Sequence, residues 1–106
     1  MTFAENVYRF TKQIPRGKVS TYKAIADALG TKAYRAVGQA LHTNPHAPQV
    51  PCHRVVSSDG SIGGFALGTK KKILMLKKEG VNIHNKKVDL QKYFVRLKKE
   101  KGREVP

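Results

Sequence analysis

Apolar side chains at Phe3, Val7, Phe10 and Ile14 recur at the three-to-four spacing of one helix face. Thr2 and Glu5 stand at capping-box spacing at the head of that stripe, and Pro15-Arg16-Gly17 closes it. After a short extended entry, Lys18-Val19, either Ser20 or Thr21 suits the N-cap of a second helix. That helix turns Tyr22, Ile25, Ala26 and Leu29 inward and has Gly30 just past its end. Thr31 is the expected cap of a third helix, with a buried stripe of Ala33, Ala36, Val37, Ala40 and Leu41, ended by Asn44-Pro45. Two short helices joined through a glycine-containing turn fit a helix-turn-helix and, equally, an ordinary helical corner.

Beyond residue 44 the period changes. A loop with Pro45, Pro48 and Pro51 leads into Cys52-His53-Arg54 and the β-branched pair Val55-Val56. Ser57-Ser58-Asp59-Gly60 is a turn signal followed by Ile62-Gly63-Gly64-Phe65, which predicts a small hairpin or wing. Thr69 is the expected cap of a fourth helix with Ile73, Leu74 and Leu76 inside, closed by Glu79-Gly80. Val81 to Val88 reads as a short strand pair or loop, and Asp89 as the cap of a final amphipathic helix holding Leu90, Phe94 and Leu97. With no internal repeat and no long linker, the expected architecture is mainly α. It is a single winged helix-turn-helix-like domain over residues 1–106 with a short β hairpin or wing.

Charge moves the helical corner toward nucleic acid. The 106 residues carry 21 Lys and Arg against 7 Asp and Glu, a formal net charge of +14. A polyanion is therefore the first partner to consider. Residues 70–106 hold 13 of the basic side chains and 4 of the acidic ones. A Lys-rich end is commonly a solvated face, yet it strengthens association with DNA at low salt. One cysteine excludes an internal disulfide framework and a Cys-based zinc cluster. No apolar run approaches the roughly 20 residues of a membrane span, and the first residues lack the pattern of a signal peptide. These features lead to the expectation of an intracellular monomer, cytoplasmic or nucleoid-associated, with no membrane partner.

The candidate chemistry centres on Cys52. A lone intracellular cysteine is ordinarily a small buried hydrophobe. Here Pro51 fixes the backbone ahead of it and His53 follows directly. In an extended segment neighbouring side chains point to opposite sides, so His53 would act on the thiol through a water, with a carboxylate behind the ring. The species so produced is a thiolate, the form that attacks electrophilic carbon. His42, His46, Cys52, His53 and His84 lack ligand spacing, so neither a metal nor any other cofactor is expected.

The run Val50-Pro51-Cys52-His53-Arg54-Val55-Val56 resembles the active-site signature of the O6-alkylguanine-DNA alkyltransferases, the methylated-DNA–protein-cysteine methyltransferases. Gly17-Lys18-Val19-Ser20-Thr21-Tyr22 is similar to that family's entry to its helix-turn-helix, Arg35-Ala36-Val37-Gly38 to its recognition helix, and Asn44-Pro45 to the hinge after it. Gly63-Gly64-Phe65 resembles its active-site loop, and Glu79-Gly80 the end of its last shared helix. The six blocks fall in family order over roughly residues 3 to 84, which leaves a Lys-rich extension at 85–106 unassigned.

The resemblance implies a DNA repair protein that flips O6-alkylguanine out of double-stranded DNA and transfers the alkyl group irreversibly to its own cysteine. Cys52 would be the nucleophile, His53 would assist its ionisation through a water, and Glu79 would orient His53. Tyr22 would sit by the target nucleotide, helping to rotate its phosphate and to protonate the departing guanine at N3. Arg35 would fill the gap left by the flipped base, while Ala36 and Gly38 would lie on the contact face in the minor groove. Asn44 and Pro51 would shape the active site, and Phe65 and Ala66 would line its loop. Flipping is required because O6 is out of a thiolate's reach while the base is stacked.

The chain departs from the family in its Phe65-Ala66, where several members carry Tyr-Ser, and in starting where a second domain commonly would. The latter fits a natural single-domain member or a fragment. Two other readings stand beside the enzyme. One is an alkyltransferase-like damage sensor that binds O6-alkylguanine and recruits another repair pathway. Such proteins generally replace the cysteine, often with Trp, whereas this chain keeps Cys52 and has no Trp. The other is a plain winged-helix DNA-binding protein with an inert buried cysteine.

Overall fold

A computed structural model describes residues 2–46, 49–63 and 68–97. Pro48, Phe65, Ala66 and the end of the Lys-rich extension lie outside the described residues. The capping box forms at the start of helix α1 (Phe3–Thr11): Glu5 N donates to Thr2 Oγ1 at 3.1 Å, and Thr2 N donates to the Glu5 carboxylate at 2.8 Å. Val7 and Phe10 are buried as expected, but Phe3 is exposed and Ile14 follows the helix in a tighter turn.

Strand β1 (Ser20–Thr21) feeds α2 (Tyr22–Leu29), where Thr21 is the N-cap and accepts from Ala24 N at 3.0 Å. Helix α3 (Tyr34–His42) begins later than expected. Its cap is Ala33, and the Thr31 hydroxyl is spent on Ala33 N outside the helix. Its buried stripe is Val37, Ala40 and Leu41 only. Ala33 precedes the first turn and Ala36 lies about 100° round from Val37, so both are exposed. Helices α1, α2 and α3 pack on one another pairwise as the expected helical corner.

Among the described residues, Val55-Val56 does not pair with Ile62-Gly63 as the expected hairpin; residues 64 and 65 lie outside the described residues. Strand β2 (Val55–Val56) instead pairs in parallel with β1, Ser20 opposite Val55 and Thr21 opposite Val56. Both valines are fully buried, and a two-residue strand between two cores needs an apolar side chain on each face. Val55 enters a core with Val7, Phe10, Ile25, Val37 and Leu41, whereas Val56 enters a second core with Val19, Ile62, Leu76, Val81 and Tyr93. The turn at 57–60 does form, closed by Gly60 N on Ser57 O at 2.8 Å, but it leads toward residues 86–88. Gly60 approaches the chain so closely there that a Cβ would lie 2.5 Å from Val88 O.

Among the described residues the hairpin is β3 (Ile83–His84) with β4 (Lys87–Val88), within the segment read as a strand pair or loop. Its turn residues Asn85 and Lys86 both have positive φ, the backbone of a type I′ turn. Helix α4 (Thr69–Lys78) is preceded by Gly68 and has no side-chain cap, so Thr69 is its first residue and not its cap. Contrary to expectation Leu74 points outward, and Lys72, not Leu74, is buried beside Leu76. Helix α5 (Leu90–Tyr93) is a single turn capped by Asp89. It stops because the chain beyond it pairs with Val19, through Val19 N on Tyr93 O and Val95 N on Val19 O, both 2.9 Å. Tyr93 in the helix and Leu97 beyond it are buried, whereas Phe94, just past the helix, is exposed.

Candidate active site

Cys52 sits at the entrance to β2, where the two cores meet. Residues Cys52–Arg54 form one 3₁₀ turn, not the extended segment expected, with Arg54 N donating to Pro51 O at 2.9 Å. Successive side chains therefore fan out around the turn. Cys52 turns toward Asn44, while His53 and Arg54 converge on Glu79 at the C-terminal end of α4.

The thiol is buried and has a polar neighbour. Asn44 Nδ2 donates to Cys52 Sγ at 3.4 Å and to Val50 O at 3.1 Å, and its Oδ1 accepts from His46 N at 2.8 Å. One buried side chain thus ties the end of α3 to the Cys52 loop. Burial pushes the Cys52 thiol up; the Asn44 hydrogen bond and the charge of Lys72 oppose it.

Glu79 is held from two sides. Arg54 donates from Nε to Oε1 at 2.9 Å and from Nη2 to Oε2 at 2.7 Å, and its Nη1 donates to Ile14 O at 2.8 Å. His53 Nε2 meets the same Oε2 at 3.0 Å. Burial alone would raise the Glu79 carboxyl, but its bonds to Arg54 and His53 prevail and bring it down to about 2. His53 is pushed below its usual range by burial, against the pull of Glu79. A neutral ring facing an ionised carboxylate must donate from Nε2, which puts its basic lone pair on Nδ1.

Lys72 is fully buried, donates to Ile62 O, and lies 5.9 Å from the centroid of the Tyr22 ring. Burial lowers it to about 8, whereas a thiolate on Cys52 favours its charged form. Tyr22 is pushed up to about 12 by burial and by that same thiolate, so its hydroxyl stays neutral and able to donate. Gly63 lies against that hydroxyl. A Cβ there would stand 3.3 Å from Tyr22 Oη, on a backbone with φ of +72°. Tyr22 also lines a groove of about 330 Å³ with Lys23, Tyr34, Arg35, Gly38, Ser57 and Ser58. The structure thus brings Tyr22, Arg35 and Gly38 to one surface beside the exposed Ala36.

Residues 2–81 match the family model described as the DNA-binding domain of 6-O-methylguanine DNA methyltransferase. The chain belongs to that family. It is 51% identical over 81 residues to the methylated-DNA–protein-cysteine methyltransferase of Saccharolobus solfataricus, an overlap of 76% of this chain and 52% of that protein. The chain therefore spans about half the length of that relative. Among solved structures it resembles S. pombe Atl1 in complex with damaged DNA containing O6-carboxymethylguanine. The TM-score is 0.79 at 34% identity, covering 89% of this chain and 94% of that one. It also resembles Mycobacterium tuberculosis OGT in complex with DNA, with a TM-score of 0.71 at 39% identity, covering 74% and 50%. Like these family members it is mainly helical.

Two residues of the site carry no role in the sequence reading. Arg54 stands inside the Cys52 motif, but only the fold shows that it clamps Glu79. Lys72 is hidden in the run Lys70-Lys71-Lys72, although its position four residues before Leu76 is that of the buried stripe. Among the described residues no group of three His, Cys, Asp or Glu is placed to hold a metal ion, and no helix is long and apolar enough to cross a membrane.

Proposed function

We propose that this chain is an alkyltransferase domain that binds double-stranded DNA, flips out O6-alkylguanine and takes the alkyl group onto Cys52. The observation that carries the proposal is the setting of the thiol: a buried lone cysteine that accepts from the Asn44 amide and feels the charge of buried Lys72. Both favour the thiolate against the cost of burying it. In the reaction the Cys52 proton passes by way of a water toward His53, whose imidazolium Glu79 stabilises. The sulfur attacks the alkyl carbon, an S–C bond forms, and the C–O6 bond breaks with its electron pair moving to guanine. Tyr22 donates the proton that the departing base takes at N3 and recovers one from the His53 imidazolium by way of solvent, so the net proton transfer is from Cys52 to guanine. The thioether has no leaving group, so each chain acts once.

Arg35 enters the vacated stack, and Ala36 and Gly38 let α3 approach the minor groove closely, where little sequence is read. Pro51 and Asn44 hold the Cys52 turn, and the family resemblance gives Phe65 and Ala66 to the active-site loop. The protein works as an intracellular monomer at the nucleoid or in the cytoplasm, without a cofactor.

The likeness to Atl1 over nearly all of that chain favours a second reading, a sensor that binds the lesion without transfer. Intact-mass measurement separates the two after incubation with a duplex containing O6-methylguanine. A gain of one methylene, mapped to the peptide holding Cys52, is the outcome expected of the alkyltransferase. Cys52→Ala should lose that gain and keep lesion binding. An unchanged wild-type mass with lesion-selective binding establishes the sensor.

A further inference from the structure

The outward face of α4 is not used by the chemistry above. Leu74 is 60% exposed, and its helical neighbours at three and four residues in each direction are Lys70, Lys71, Lys77 and Lys78, all exposed. The side chain of Arg16 adds a further cation where its Nη2 donates to Lys78 O at 3.2 Å. No Asp or Glu lies between Thr69 and Lys78, and Glu79 is turned inward onto Arg54 and His53. The first turn also breaks the usual rule. It carries Lys70 and Lys71 at the positive end of the helix dipole, with neither an acidic residue nor a side-chain cap.

We infer that this face of α4 docks an acidic protein segment that presents a large apolar side chain to Leu74. The lysine ring matches acidic side chains, and the central leucine selects a protein, because a phosphate backbone offers nothing apolar to bury. A second copy of the chain is disfavoured by its own charge of +14. At 100° per residue Leu74 lies about 160° round the helix from Lys72, which faces Tyr22 and Ile62. The docking face is thus turned away from the thiol and the Arg35 groove, so the partner and a lesion-bearing duplex are held together.

The test is selection of random 12-residue peptides displayed on phage against the whole chain saturated with a short undamaged duplex. Recovered peptides should combine Asp or Glu with a large apolar residue. They should bind the wild type about tenfold more tightly than Leu74→Ser or the Lys71→Gln, Lys78→Gln pair. All three substitutions lie on the surface, and an unchanged thermal midpoint confirms folding without reference to alkyl transfer. Three results overturn the inference: no acidic, apolar peptides are recovered; those recovered do not distinguish Leu74→Ser; or they bind only when the duplex is left out, which assigns the face to nucleic acid.

Discussion

A buried lysine, Lys72, is one of the groups that set the ionisation of Cys52. Burial raises the thiol, and Lys72 and Asn44 are what oppose it. Lys72→Met keeps the volume and removes the charge, so the thiol should rise further. The alkyl-transfer rate should then fall at neutral pH, its profile displaced to higher pH, as measured by single-turnover transfer from free O6-benzylguanine. The same substitution has a signature in stability. In the folded chain Lys72 lies at about 8 against an ordinary 10.5, so the unfolded chain binds more protons between those values and stability rises with pH across them. Denaturation midpoints should show that rise in the wild type and lose its Lys72 part in Lys72→Met.

Glu79 works in the opposite range. Held at about 2 against an ordinary 4.5, it contributes stability that is complete above about 4.5 and is lost as pH falls toward 2. Arg54→Met leaves this carboxylate buried without its main partner. It should cost about 3–5 kcal/mol in chemical denaturation and blunt that acid dependence, because Glu79 then titrates nearer its usual value.

At the scale of elements, α3 presents Arg35 on an exposed surface shared with Tyr22 and Gly38. If Arg35 fills the gap left by a flipped base, Arg35→Ala should slow transfer from duplex DNA by about tenfold or more. Transfer from free O6-benzylguanine, which leaves no gap, should stay within about twofold. Single-turnover rates on the two substrates check this, and equal losses would remove the finger role. The elements themselves were legible where local chemistry is strong: the Thr2–Glu5 capping box, the Thr21 cap, the end of α2 at Gly30 and the turn at 57–60. They were misjudged where a distant strand competed. Val55-Val56 looks like half of a hairpin, yet β1 supplies its partner from 35 residues earlier. The last helix is cut to one turn by pairing with Val19. Periodicity carries no information about such long-range hydrogen bonds.

For the whole molecule the governing quantity is charge. Lys23, Lys32 and Arg35 stand exposed on and between α2 and α3, beside the proposed DNA groove. Three phosphate contacts give a slope of about 0.9 per contact in log affinity against log salt. Duplex affinity should therefore fall about fortyfold between roughly 50 and 200 mM salt. Anisotropy titrations check this, and a flat response would remove these cations from the interface.

By itself the sequence determined the family, the helical corner and the motif that holds Cys52, because caps, glycines and a contiguous motif are local features that survive any packing. The pairing of His53 with Glu79 was also within its reach, since the family motifs place both residues. Tertiary structure alone decided the rest of the site. Only packing shows that the Cys52 segment is a 3₁₀ turn and that Arg54 locks Glu79. The same holds for one lysine of a three-lysine run lying in the interior beside Tyr22. The physical reason is burial: the cost of desolvating a charge, and hence its pKa and its use, depends on neighbours brought from distant parts of the chain.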